Sequence, residues 1–211
     1  MTKTQIEIIY QDKSIVVCVK PIGVLSQQSD KGEENMISLL KEQCECEIYP
    51  VHRLDRQVGG VMVFAKTKSA AASLSKQITD KVFTKKYLAV VHGTFEEKSG
   101  IMEDLLFKDS AKNKVFVVKR ERRGVKKAKL EYGVLQEKDG FSVVSVFLHT
   151  GRTHQIRVQF ASRKHPLKGD SKYGARDAEK RIFLWSKEIG FIHPETNKEV
   201  LFSAECDFSN L

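Results

Sequence analysis

The residues best suited to chemistry sit in one short stretch, V-H-R-L-D-R-Q-V-G-G, from Val51 to Gly60. Within it His52, Arg53 and Asp55 are near neighbours, and the run from Val61 to Ala65 that follows reads as a buried strand. This is the layout of a reactive loop delivered into a cleft by the sheet. Gly59 and Gly60 can take backbone angles closed to other residues, so they are expected to turn the loop and fix Asp55 beside the strand. A carboxylate held next to arginines and partly withdrawn from water is the candidate reacting group. In an arbitrary chain an Asp beside Arg is more often a turn cap or a surface ion pair. The role of Asp55 therefore rests on what accompanies it.

The stretch resembles the H-R-L-D signature of the RluA-type pseudouridine synthases, which isomerise uridine within RNA. Two further segments fit in chain order: K-K-Y-L-A-V-V-H-G from Lys85 to Gly93, and Leu148 to Gly174, which holds T-G-R-T-H-Q-I-R and H-P-L-K-G-D-S-K-Y-G. Three segments in order over nearly the whole chain make a specific match, where H-R-L-D alone is weak. The resemblance implies that Asp55 is the catalytic aspartate, that Tyr87 stacks on the flipped uracil and helps to move its C5 proton, and that Arg157 pairs with the aspartate. A carboxylate buried alone takes up a proton, and a nearby cation counters this. Arginine suits the task because it stays charged and binds two oxygens at once. Asp55 either attacks the sugar or the base, or removes a sugar proton to form a glycal; the sequence leaves both routes open.

The same resemblance gives the remaining site residues. Arg53 is expected to fill the space left by the extruded nucleotide or to hold its phosphate, and His52 to make a structural hydrogen bond. Arg152, His154 and Gln155 are expected to contact RNA or to brace their loop, and Leu184 to wall the uracil pocket. The isomerisation needs no electron carrier and no metal, so no cofactor is expected. Two departures stand out: Val58-Gly59-Gly60 replaces the family's usual Thr-Ser-Gly, and Leu184-Trp185-Ser186 replaces Leu-His-Ala. Both bear on substrate fit more than on the reacting groups. Many relatives carry a small RNA-binding domain first; here V-K-P-I-G-V-L begins at Val19 and leaves no room for one.

Composition agrees with an RNA partner, ribosomal or transfer. Thirty-six Lys and Arg against 27 Asp and Glu give a net charge of +9 over 211 residues, which favours a polyanion. The excess is concentrated between Lys114 and Lys129, where eight Lys or Arg face one Glu. Runs 115–118 and 130–135 flank this cluster, so it reads as the tip and edges of a hairpin, with Lys126, Lys127 and Lys129 gripping phosphates. No apolar run approaches the roughly 20 residues that span a bilayer, and the polar start is no signal peptide. A cytoplasmic protein and a monomer are expected. Cys18, Cys44, Cys46 and Cys206 form no disulfide or zinc pattern and read as reduced thiols.

These residues need elements to hold them. Runs 6–10 and 14–20 read as a hairpin closed by Pro21, 33–42 as a helix, and 70–79 as a second helix capped by Ser69. Strands are expected at 82–92, 141–149, 182–189 and 199–208, and a third helix at 153–163 with Thr153 near its cap. The sum is an α+β fold: a single pseudouridine-synthase-like domain over 1–211, with a mostly antiparallel mixed sheet, flanking helices and a central active-site cleft. Two other classes of function compete with an RNA isomerase. A catalytically silent RNA-binding or ribosome-assembly factor would be free to lose Asp55, Tyr87 and Arg157, and a hydrolase built on His52 and Asp55 lacks a nucleophile or metal set.

Overall fold

The computed structural model describes residues 4–29, 32–179, 181–206 and 208. In chain order its elements are β1 (Glu7–Gln11), β2 (Ile15–Lys20), α1 (Met36–Cys44), β3 (Tyr49–Pro50), β4 (Gly59–Ala65), α2 (Lys68–Thr79), β5 (Thr84–His92), β6 (Ser99–Asp109), β7 (Lys114–Val118), β8 (Val125–Lys138), β9 (Phe141–Leu148), α3 (Gln155–Ser162), a single 3-10 turn (Ser171–Tyr173), β10 (Leu184–Ile192) and β11 (Glu199–Ser203). The fold is α+β with a mixed sheet, as expected. The chain divides into two compact units, residues 1–85 with 185–206 and residues 86–184 with 207–211. Among the described residues no helix is long and apolar enough to cross a membrane.

In the first unit the strands run β1-β2-β4-β10, with β3 on β4 and β11 on β10. The expected β1–β2 hairpin is present and antiparallel, while β4 and β10 run parallel, joined through Gly59↔Trp185 and Gly60↔Ser186. Every residue of β4 is buried. Its Val61, Val63 and Ala65 pack with Ile15, Val17, Ile189 and Phe191 and with Ala70 and Leu74 of α2. Both helix starts differ from the sequence reading. Asn35 caps α1 in a reciprocal box, its side-chain oxygen accepting from Ser38 N–H and the Ser38 hydroxyl accepting from Asn35 N–H, so the helix starts at Met36 and not at Glu33. The cap of α2 is Thr67, whose hydroxyl accepts from Ala70 N–H, so the helix starts on leaving β4 and not at Ser69.

In the second unit the order is β5-β9-β8-β6-β7, all antiparallel. The expected basic hairpin is not a hairpin. β7 and β8 each pair with β6, which lies between them, so residues 119–124 cross over β6 instead of turning back. On one face of these strands α3 packs through Val158, with Leu106, Val115, Ala128 and Tyr173 forming a small core. Strand periodicity gives each residue a face but not a neighbour, which is why the pairing was not legible. α3 itself starts at Gln155 after His154 in the left-handed conformation, with no side-chain cap from Thr153. The expected strand at 199–208 ends at Ser203; residue 207 lies outside the described residues.

Candidate active site

Asp55 lies in the loop between β3 and β4, half-buried, and its carbonyl accepts from Val58 N–H at 3.0 Å to close a tight turn. The segment after β2 holds this loop along its length. Ser26 Oγ donates to Leu54 C=O at 2.8 Å and accepts from Leu54 N–H at 3.0 Å, pairing both backbone groups of the residue before Asp55. Arg56 C=O accepts from Gly23 N–H at 2.8 Å, and Arg56 Nε returns a bond to Gly23 C=O at 2.9 Å. A third tie comes from Lys20, a residue that sequence reasoning passed over. Its side chain is fully buried, and Nζ donates to Pro21 C=O at 2.8 Å and to Arg56 C=O at 3.3 Å. Burial pulls the Lys20 pKa down to about 8, opposed by the negative charge of Asp55. The signal was present: Lys20 is the one charged residue of a strand whose other residues are all apolar.

His52 plays the structural part expected of it. Its Nε2 accepts from Val63 N–H at 3.2 Å, which fixes the proton on Nδ1, and Nδ1 has no hydrogen-bond partner among the described residues. Burial, with the Lys85 charge adding to it, pushes its pKa down to about 3, so the ring is neutral at ordinary pH. Arg53 is exposed.

The two glycines after the loop do something other than turn it. Both belong to β4, and a Cβ on Gly59 would lie 2.5 Å from the Trp185 ring, while one on Gly60 would lie 2.3 Å from Ser186 C=O. Only glycine lets β10 approach this closely, and Gly60 also needs its φ of +117°. The two sequence departures are thus one packing arrangement: Gly59-Gly60 makes the space that Trp185-Ser186 fills. Trp185 Nε1 donates to Ala204 C=O at 3.2 Å, which fixes the ring over Gly59.

In the second unit Tyr87 is buried on β5 opposite Val146, which in turn faces Tyr132. Arg157 projects from α3 and is likewise buried. Its Nε and Nη2 donate to Asp170 Oδ2 and Oδ1 at 2.6 and 2.8 Å, a bidentate pair, with the guanidinium 5.1 Å from the centre of the Tyr173 ring. Asp170 is 1 % exposed. Neither Asp170 nor Tyr173 was singled out from sequence, although a buried arginine demands a carboxylate and H-P-L-K-G-D supplies one. The Tyr173 hydroxyl accepts from Val115 N–H at 3.0 Å and is bonded to His154 Nδ1 at 2.8 Å.

The residues expected at RNA separate by exposure. Gln155 is buried, with Nε2 donating to Lys129 C=O at 3.1 Å and Oε1 accepting from Thr150 Oγ1 and Arg152 N–H. Bracing the loop is the role of the anticipated two that this geometry serves, and His154 braces through Tyr173. Arg152 is exposed, with Nε anchored on Lys127 C=O at 3.0 Å. Lys126 and Lys127 are exposed and Lys129 is half-buried, bonded to Glu103 at 2.7 Å. Leu184 is buried at the start of β10. Among the described residues no group of three His, Cys, Asp or Glu side chains could hold a metal ion.

Comparisons with known proteins agree on one relationship. The family model described as RNA pseudouridylate synthase matches residues 14–162. The chain is 32 % identical over 211 residues to the ribosomal large subunit pseudouridine synthase C of Buchnera aphidicola from Schizaphis graminum, covering 95 % of this chain and 67 % of that one. It is 31 % identical over 223 residues to the tRNA pseudouridine synthase C of Haemophilus influenzae, covering 96 % and 93 %. In fold it is similar to human RNA pseudouridylate synthase domain containing 1, with a TM-score of 0.81 at 23 % identity over 99 % of this chain and 87 % of the other.

Proposed function

The chain belongs to the RNA pseudouridylate synthase family, and from that premise we propose that it converts specific uridines of ribosomal or transfer RNA to pseudouridine with Asp55 as the reacting carboxylate. The reaction breaks the bond from ribose C1′ to base N1, turns the uracil and joins C1′ to C5. The proton lost from C5 is balanced by one gained at N1. Such chemistry calls for an extruded base, a group acting at the sugar and a means of moving the C5 proton. Asp55 takes the second task and the Tyr87 hydroxyl the third, while the Tyr87 ring stacks on the uracil and Arg157 supplies a permanent positive charge. Arg53 takes the place of the extruded nucleotide, Leu184 walls the pocket, and Arg152 with Lys126, Lys127 and Lys129 grips phosphate.

The observation that carries this reading is the environment of Asp55 in its own unit. Its loop is tied at Leu54 and Arg56 by Ser26, Gly23 and Lys20, and the Lys20 ammonium interacts favourably with its charge. A rigid loop beside a buried cation is what a carboxylate acting at a sugar carbon requires, since reorientation during the reaction raises the barrier. Relatives named for ribosomal and for transfer RNA match over nearly the whole chain, which supports one of those two as the substrate RNA.

Two measurements test the proposal. Asp55→Asn should fold and bind RNA like the parent yet form no pseudouridine; turnover near the parent rate would remove Asp55 from its role. Mapping pseudouridines in cells with and without the protein should show one or a few sites lost, and an unchanged map in both RNAs would end the substrate assignment.

A further inference from the structure

The face of β6, β7 and β8 opposite α3 carries an arrangement of which the proposed function uses only Lys127. On this face Phe107 of β6 lies directly across from Phe116 of β7 and from Val125 of β8, and Leu105 lies between Val118 and Lys127. Phe116 is 37 % exposed, a large ring left in water. The crossing segment 119–124 passes over Phe107. Gly124 lies against that ring, and the exposed Arg122 holds its guanidinium 4.5 Å from the ring centre. Around this core stand Lys119, Arg120, Arg123 and Lys127, all exposed, with Glu121 as the single acid of the crossing segment. The ion pair from Lys127 to Glu121 at 3.1 Å joins two well-exposed side chains and exchanges readily for a phosphate. The register Tyr87↔Val146↔Tyr132, with Tyr132 packed on Phe160 of α3, puts Tyr87 on the other face.

We propose that this face is a stacking platform for unpaired RNA nucleotides away from the target uridine, with bases on the Phe116 ring and on the outer plane of Arg122, and phosphates on Lys119, Arg123 and Lys127. The inference rests on the reading that the substrate is RNA. Charge alone would attract any polyanion; the aromatic rings and the flat guanidinium are what select exposed bases, because each base offers a π-face and a duplex hides it. Arg122 suits this use because its guanidinium already rests over the Phe107 ring, so less side-chain freedom is lost when a base covers it. The substrate is therefore a loop or single-stranded segment extending across this face, not a continuous helix.

The test uses equilibrium binding of the full chain carrying Asp55→Asn to a 12-nucleotide oligocytidine, which offers no uridine, with a 12-base-pair RNA duplex and inorganic polyphosphate as controls. The double variant Arg122→Lys with Phe116→Leu keeps charge and apolar bulk while removing both flat surfaces. It should lose about tenfold in oligocytidine affinity, change less than twofold on the duplex and polyphosphate, and keep its salt dependence. Undiminished oligocytidine binding overturns the platform, and so does an equal loss on all three probes, which would mark a charge grip only. Self-association of the parent chain through this face, abolished by the variant in sedimentation, would likewise overturn it. A chain that makes pseudouridine but passes none of these leaves the catalytic reading intact. One that makes none yet shows the selective tenfold loss fails only that reading.

Discussion

Among the described residues the buried Lys or Arg side chains are Lys20 in the first unit and Arg157 in the second, and the two are held in opposite ways. Lys20 in the first unit is bonded to the carbonyls of Pro21 and Arg56. Arg157 in the second is gripped at two points by the carboxylate of Asp170. The lysine meets only partial charges in its hydrogen bonds, and burial pulls its pKa down to about 8. The arginine meets a full charge in fork geometry and does not titrate. Lys20 is thus placed to respond to its surroundings and Arg157 to stay constant. The first arrangement costs stability to keep a positive charge near Asp55; the second builds a rigid corner in which Tyr173, His154 and Val115 also take part.

The largest consequence of that contrast is at Asp170. Asp170→Asn leaves the Arg157 charge buried without its carboxylate, and breaking one side of a buried pair costs about 3–5 kcal/mol. For a chain of this length that lowers the melting temperature by roughly 6–20 °C, read by calorimetry. A shift below about 2 °C would show that Asp170 is not what holds Arg157. Lys20→Met provides the counter-case. Burial dominates its pKa shift, so removing the charge should leave stability near neutral pH unchanged or raise it by roughly 1–3 kcal/mol. Pseudouridine formation should nevertheless fall in this variant. A destabilisation as large as that of Asp170→Asn would collapse the distinction between the two cations.

How far these features could be read from sequence follows from how local their causes are. The expected strand at 141–149 is present over Phe141–Leu148 with burial alternating at every residue, although Ser142 lies on the buried face and Phe141 on the other, and the β1–β2 hairpin follows from runs separated by three polar residues. The H-R-L-D loop was recognisable because its residues are contiguous. Gly59 and Gly60 were read as turn formers because the reason for them, Trp185 and Ser186, lies about 125 residues further on and becomes visible only once β4 and β10 lie side by side. The insertion of β6 between β7 and β8 is invisible for the same reason. Lys20 and Asp170 differ again, since each was legible by asking what a charge at an interior position is for. Arg157 was noticed while its partner 13 residues later was not.

A smaller effect sharpens the comparison at the loop itself. Ser26→Ala removes one hydroxyl that pairs both the N–H and the C=O of Leu54. Leaving buried backbone groups unpaired costs about 1–3 kcal/mol. Because the residue that loses its tie precedes Asp55, kcat should fall while RNA affinity stays near the parent value. A stability loss without a change in kcat would mean that the loop position does not depend on Ser26.

The smallest effect is also the most specific, because only one of the two cations can produce it. The pKa of Lys20 is about 8 in the folded chain against an ordinary 10.5. Between those values the unfolded chain holds a proton that the folded chain lacks, so this residue makes stability rise as pH climbs from about 8 towards 10.5. Below pH 8 both states are protonated and the slope vanishes. Lys85 titrates in the same direction and the buried thiol of Cys18, its pKa raised by burial, in the opposite one. The quantity to measure is therefore the difference between the parent and Lys20→Met in urea unfolding at pH 7, 8.5 and 9.5. That difference should move in favour of the parent as pH rises, and over the same range parent turnover should decline along a limb that Lys20→Met lacks, since the neutral amine no longer opposes the charge on Asp55. A difference that does not vary with pH would mean that Lys20 keeps its proton throughout, making it as constant as Arg157 and removing the contrast.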